Sequence, residues 1–353
     1  MESAVFAFSY LILASLTILT PAADESAGDS KQADRYEPAL NAWYLGDLDR
    51  AKELADELVQ SDDLDAMAHA LLGQVLDSQG NEESDEHLER ALELGGDDVA
   101  VLTRVADLYA TRFGNYVDTD LSYLAPEARR QASDLYRRWA ELEPDSPLPI
   151  QRLAWLEKTE GNGPAAIGLL FAAIALDPMV DAPHGELWSF LGNGVEYDEL
   201  ASFYEGLALT RTEPTARGRC LNYEGQVLIA MGQKLRRDAP PAGRDGPSAE
   251  RLNLLADARR AFYRAVPILE QSAAVDPAQE EAARWYVADA RVVAAELFGE
   301  MGDLAAVTGI MDEVREAILA SSPAGTEGFK QKIDKRGYAI FNAAGGEGAT
   351  SGG

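Results

Sequence analysis

Apolar side chains recur at spacings of three and four through most of the chain, the period of a helix with one buried stripe. In YLGDLDRAKELADEL and DSQGNEESDEHLERALEL such stripes resume directly after a glycine. In AELEPDSP and AIALDPMV they stop at a proline. Glycine suits a tight turn and proline cannot continue a helix, so the pattern predicts short helices joined by short turns. The punctuation is periodic. Gly46 and Gly80 are 34 residues apart, and so are Pro144 and Pro178.

The residues between these marks fall into register. One copy holds His69, Leu72-Gly73, Leu76, Gly80, Ser84 and Leu88. The next holds Leu102, Val105-Ala106, Tyr109, Ala132, Tyr136 and Pro144, and a third Ile150, Leu153-Ala154, Gly161, Ala166, Leu170 and Pro178. Another holds Leu221, Gly225, Leu228, Gly232, Ala265, Leu269 and Pro277. A first copy keeps Gly46 and Ala51, a looser one surrounds ELWSFLGNGVEYDELASFYEGLAL, and a last keeps Gly302, Leu304 and Met311. Small residues let two helices approach, and large ones fill the remaining gaps. This pattern resembles the tetratricopeptide repeat (TPR), a 34-residue helix-turn-helix. The resemblance implies an all-α, right-handed superhelical solenoid of about seven repeats over residues 36–320, because one pair cannot bury its apolar face without stacking on the next.

Two segments break the array and read as insertions. Residues 112–126, RFGNYVDTDLSYLAP, carry Tyr116, Tyr123 and Leu124. Residues 236–248, RRDAPPAGRDGPS, read as a mobile loop. Pro267, inside ARRAFYRAVPILEQSAAV, is expected to kink its helix or end it early.

The ends differ from the middle. Residues 4–19 are an apolar run followed by Thr20-Pro21-Ala22-Ala23, so residues 1–23 read as a signal peptide cleaved after Ala22 or as an N-terminal anchor. Glu2 stands where a basic residue is usual. No cysteine follows for lipid attachment. Residues 24–35 read as a flexible linker and 321–353 as a mostly disordered tail. Within the tail, GFKQKIDKRGYAIF concentrates basic residues and is consistent with a short helix or strand.

Composition narrows the function. Sixty acidic residues against 31 basic ones give a formal net charge of -29. Such a surface repels nucleic acid and anionic lipid and favours a partner with a basic surface. Membrane contact is then confined to the N-terminal segment, if it is retained. The lone Cys220 sits among apolar residues and reads as a buried structural thiol.

His69, His87 and His184 are assigned to separate repeats, without zinc-enzyme spacing. No phosphate loop, dinucleotide fingerprint or nucleophile elbow occurs in the sequence. Asp118-x-Asp120 opens like a calcium loop, but the later ligands are missing. No catalytic residue, metal or cofactor is therefore assigned.

The resemblance implies a protein or peptide bound in a concave groove lined by the first helices. It places there Gln74, Asp77, Thr103, Asp107, Gln151, Trp155 and Lys158, flanked by Arg104 and Arg152. Trp155 stands out, because binding hot spots favour tryptophan and arginine. It can equally pack between repeats. Some members of the family hold a terminal carboxylate with lysines and asparagines on successive first helices. The corresponding places here are Ala70, Gln74 and Thr103, so that likeness is not extended. The expectation is a non-catalytic interaction scaffold, exported or envelope-anchored. The alternatives are a hydrolase-like enzyme using carboxylates near Asp107 or Asp118, and a salt-adapted cytoplasmic adaptor.

Overall fold

The computed structural model describes residues 29–242, 247–301 and 304–319. Among these the chain is all-α, with fourteen α-helices and no strand. Seven successive pairs can be read directly: α1 (Asp29–Tyr44) with α2 (Leu48–Ser61), α3 (Ala66–Ser78) with α4 (Ser84–Gly95), and α5 (Val99–Tyr116) with α6 (Ala125–Leu142). They continue as α7 (Leu148–Thr159) with α8 (Gly163–Leu176), α9 (Asp181–Trp188) with α10 (Tyr197–Thr210), α11 (Pro214–Asp238) with α12 (Ala249–Val275), and α13 (Glu280–Glu300) with α14 (Leu304–Leu319). Short turns make neighbouring helices antiparallel. The chain forms two compact units, Met1–Leu135 and Tyr136–Gly353, with the division inside α6.

Three of the turns within pairs repeat one geometry. Gly46, Gly80 and Gly161 have φ of 78°, 69° and 86°. In each case the following amide reaches back five residues: Asp47 N to Ala42 O, Asn81 N to Leu76 O, and Asn162 N to Glu157 O. This is the Schellman stop, which needs a left-handed residue and so selects glycine. Three of the turns between pairs use acids instead. Asp65 caps α3, Asp98 caps α5 and Glu213 caps α11, each accepting from backbone amides of the first turn. Part of the acidic excess thus sits where helix N-termini favour negative charge.

Packing inside the pairs follows the small-to-large rule. Ala51, Ala106, Ala132, Ala154, Ala166 and Ala265 are all fully buried. A Cβ on Gly73 would lie 2.7 Å from Leu88 Cδ2, and one on Gly225 would lie 2.5 Å from Leu269 Cγ. The Ser84 hydroxyl donates to the Gly73 carbonyl at 2.8 Å, tying the same two helices by a polar bond. In the first unit α1, α2 and α3 share a core that includes Tyr36, Leu71, Leu72 and Leu76. In the second, a larger core runs through α7 to α13 and holds Leu170, Tyr204, Phe262 and Leu269.

Several expectations are corrected. The linker expected over residues 24–35 is helical from Asp29 onward. Arg35 Nη2 meets Asp65 Oδ2 at 2.5 Å and the Tyr36 hydroxyl donates to the same carboxylate, so the α3 cap also anchors α1.

The insertion expected over 112–126 is largely helix. Residues 112–116 extend α5, Pro126 lies in the first turn of α6, and the true connection is 117–124, ending in a 3-10 turn. The loop expected over 236–248 is shorter at its start, because α11 runs to Asp238. Arg236 explains why: it pairs with Glu296 and, at 2.7 Å, with Glu300 of α13. Arg251 on α12 joins the same Glu300 at 2.5 Å. The pair α11–α12 is therefore built of long helices, 25 and 27 residues.

Pro267 does not end α12, which continues to Val275. Its ring is exposed, so the carbonyl that loses its donor faces water. The N-terminal apolar run, residues 243–246, Gly302 and the C-terminal tail lie outside the described residues. Among the described residues no helix is long and apolar enough to cross a membrane.

Candidate partner-binding face

The nine residues proposed from the sequence all lie on first helices, and they divide between the two units. Gln74 and Asp77 are on α3, and Thr103, Arg104 and Asp107 on α5, all in the first unit. Gln151, Arg152, Trp155 and Lys158 are on α7, in the second. None is fully buried.

In the first unit, α3 and α5 are joined side by side through these residues. Arg104 Nη1 donates to Gln74 Oε1 at 2.6 Å. Burial lowers the pKa of the Arg104 guanidinium, with Tyr44 and Asp107 acting against that effect. Asp77 is engaged by Arg112, whose Nε lies 2.7 Å from Asp77 Oδ1. The same guanidinium reaches Asp85 Oδ1 at 2.5 Å and donates to Ser84 Oγ at 3.0 Å, so it links α5 to both helices of the preceding pair. Burial opposes the Arg112 charge, but Asp85 and Asp77 outweigh it and raise its pKa. The guanidinium also lies 5.4 Å from the centre of the Tyr109 ring. Burial, reinforced by Asp85, pushes the Tyr109 phenol up to about 12. Three of the proposed residues, Gln74, Asp77 and Arg104, thus hold neighbouring helices together. Trp43 Nε1 repeats the device between α1 and α3, donating to Ser78 Oγ at 2.9 Å.

In the second unit, α7 and α9 are joined the same way. Gln151 Nε2 donates to Glu186 Oε1 at 3.1 Å. Lys158 Nζ donates to Ser189 Oγ at 3.2 Å and lies 5.4 Å from the centre of the Phe190 ring. Arg152 and Trp155 are half-buried on the helix between these two attachments, and Lys158 is exposed.

The structure also assembles groups that the sequence reading kept apart or passed over. His69 and His87 belong to the same pair, on α3 and α4, not to separate repeats. Their Nδ1 atoms are 3.0 Å apart and their ring centres 5.2 Å, so the rings point at each other nearly in line. That is an N–H···N hydrogen bond, since two lone pairs aimed at one another do not converge on a shared ion. His69 Nε2 contacts the Asp63 carbonyl at 3.2 Å and must carry the proton there, so His69 Nδ1 accepts from His87. Burial, followed by the neighbouring His69, lowers the His87 pKa.

His184 uses the same register on α9. Its Nε2 donates to the Pro178 carbonyl at 3.0 Å and its Nδ1 accepts from the Tyr204 hydroxyl at 2.7 Å. Tyr223 stacks on its ring at 4.0 Å. Burial pushes His184 down to about 4. A further buried group is Glu224 on α11, 4% exposed. Burial, with Glu205 nearby and only Arg264 opposing, pushes it up to about 7. Among the described residues no group of three or more histidine, cysteine or carboxylate side chains is arranged to hold a metal ion. Cys220 is buried and its thiol is pushed up to about 11 by burial.

No family model matches the chain. No curated protein matches it either. Among solved structures it is similar to "Structure of Naa15/Naa10 bound to HypK-THB", at 13% identity and a TM-score of 0.27, over 92% of this chain and 69% of that one. The architecture is accordingly argued from the packing of this chain alone.

Proposed function

We propose that the protein is a non-catalytic interaction scaffold of the tetratricopeptide type, which binds a protein or peptide on the first-helix face of α7 and α9. One observation carries the reading. Gln151 to Glu186 and Lys158 to Ser189 fix two first helices edge to edge, and between these attachments α7 presents Arg152 and the half-buried Trp155. Side chains held in place beforehand lose less freedom on binding, and a rigid tryptophan beside cations is suited to anchor a partner. The bonds at Gln74, Arg104, Asp77, Gln151 and Lys158 set the spacing of first helices.

The formal charge of -29 supports a partner with a basic surface. The apolar run at residues 4–19 supports an exported or envelope-anchored protein, with the mature N-terminus as the direct check. The binding reading is tested by affinity capture from native membranes, comparing the wild-type chain with Trp155→Ala. The expected result is one or a few partners held by the wild type across several salt concentrations and lost with the variant. Recovery of the same proteins by both chains would sink the reading.

A further inference from the structure

We propose that the connection between α5 and α6, residues 117–124, is a second docking surface, and that its occupant is a segment of another protein carrying basic and apolar side chains together. It lies wholly in the first unit and is independent of the α7–α9 reading.

The connection is ordered by its own hydrogen bonds. Val117 N donates to Phe113 O at 3.1 Å, Ser122 N to Thr119 O at 3.1 Å, and Leu124 N to Leu121 O at 2.9 Å. The Thr119 hydroxyl donates to Tyr116 O at 3.0 Å and accepts from Leu121 N at 3.2 Å. Its backbone is therefore held by local bonds as well as by whatever its side chains touch. Those side chains are exposed in part: Tyr123 stands out at 73%, while Leu121 at 43% and Leu124 at 38% keep more than half of their surface covered. Exposed apolar residues are ordinary when scattered, but here three fall within four positions of one hydrogen-bonded turn, a local concentration of apolar surface. Here the cost of ordering a loop has been met before any partner arrives.

Charge selects the occupant. Asp118 and Asp120 stand immediately before the patch, both exposed, and no ion pair engages either of them among the described residues. Other carboxylates on the neighbouring elements are engaged, Asp77 and Asp85 by Arg112, and Glu127 by Arg130 at 2.5 Å. An apolar patch edged by two unengaged carboxylates fits a segment that supplies lysines or arginines next to apolar residues. A second copy of the chain would bring the same carboxylates to the contact and be repelled. An anionic membrane would be repelled for the same reason.

The test uses the full chain and a fluorescent amphipathic peptide built of lysine and leucine, with anisotropy as the readout. Two control peptides replace every leucine with serine, or every lysine with glutamate. Leu121→Ser/Tyr123→Ser/Leu124→Ser should weaken binding about tenfold or more, a typical loss for removing an interface anchor. Asp118→Asn/Asp120→Asn should weaken it at physiological salt but change little at about 1 M salt, where the screening length falls to ~3 Å. Leu64→Ser is the matched control: Leu64 is 64% exposed beside Asp62 and Asp63, at a turn between pairs, and this change should leave affinity unaltered. All substituted side chains are exposed, so the helical circular dichroism should not move. Equal affinity of wild type and the triple variant would overturn the proposal. So would equal binding of the serine control peptide, wild-type self-association abolished by the triple variant, or patch-dependent binding to anionic vesicles.

Discussion

Two buried side chains make opposite contributions to stability as pH changes. His184 titrates near 4 in the folded chain because it is buried, below the ~6.5 of an unfolded histidine. The unfolded chain therefore binds the extra proton first, and stability is lost as pH falls from about 6.5 towards 4. Glu224 titrates near 7, above its ordinary carboxylate range, so the folded chain holds the proton longer. Its effect runs the other way: stability falls as pH rises from about 4.5 to 7 and is level above. Glu224→Gln should stabilise the protein by about 2–3 kcal/mol at pH 8 and leave it nearly unchanged at pH 4. Urea unfolding of wild type and variant at the two pH values checks this, and a gain of equal size at both would show that Glu224 is not protonated by burial. His184→Phe should remove the acid-side loss, but it also strands the Tyr204 hydroxyl and the Pro178 carbonyl. The variant should therefore be about 1–3 kcal/mol less stable at pH 8, with a flatter slope between pH 4 and 6.5. Neither residue was legible as a buried titrating group. The spacing of His184 and Tyr204, or of Glu224 and Arg264, carries no periodic mark, and only the packing of α9 to α12 brings them together.

Helices meet where glycine or alanine permits it, and this was the most legible level. Gly73 and Gly225 were identified as contact points from the register alone, and the structure sets Leu88 and Leu269 against them. Gly225→Ala should cost about 1–3 kcal/mol, because the added Cβ has to displace Leu269 in a filled core. Gly80→Ala should cost about 1–2 kcal/mol by another route, since no atom lies within 4 Å but φ is 69°. Thermal unfolding of the two variants measures both, and a neutral Gly225→Ala would contradict the close approach of α11 and α12.

The insertions were less legible for a physical reason. A proline- and glycine-rich stretch marks a loop, but not how far its flanking helices run before reaching it. Arg236 and Arg251 extend those helices by meeting Glu296 and Glu300, partners 49 to 64 residues away. Arg112, read as the start of an insertion, lies in α5 and is held there by Asp77 and Asp85, which belong to the preceding pair.

For the whole molecule, the helix pairs could be read from glycine, proline and alanine positions because several copies place a small residue where two helices meet. The irregular copies matched less well, and the structure shows one cause: α9 has only eight residues, and its place is completed by a glycine turn closed by Gly192 N to Val195 O at 2.8 Å. The first-helix choice of candidate residues was also legible, but their bonds to one another were not. Those bonds join residues 30 to 35 apart on separate helices, a relation the sequence expresses only through the repeat itself. Gln74, Asp77, Arg104, Gln151 and Lys158 space the helices, and the proposed function assigns contact with a partner to Arg152 and Trp155. Arg104→Ala should then destabilise the first unit by roughly 1–3 kcal/mol while leaving partner capture intact. A capture experiment at matched folded concentration separates the two effects.

The most direct measurement is hydrogen–deuterium exchange of the captured complex against the free chain. The account predicts slowed exchange in α7 and α9, with the change centred on Trp155. Unchanged exchange there, with protection confined to other helices, would contradict it.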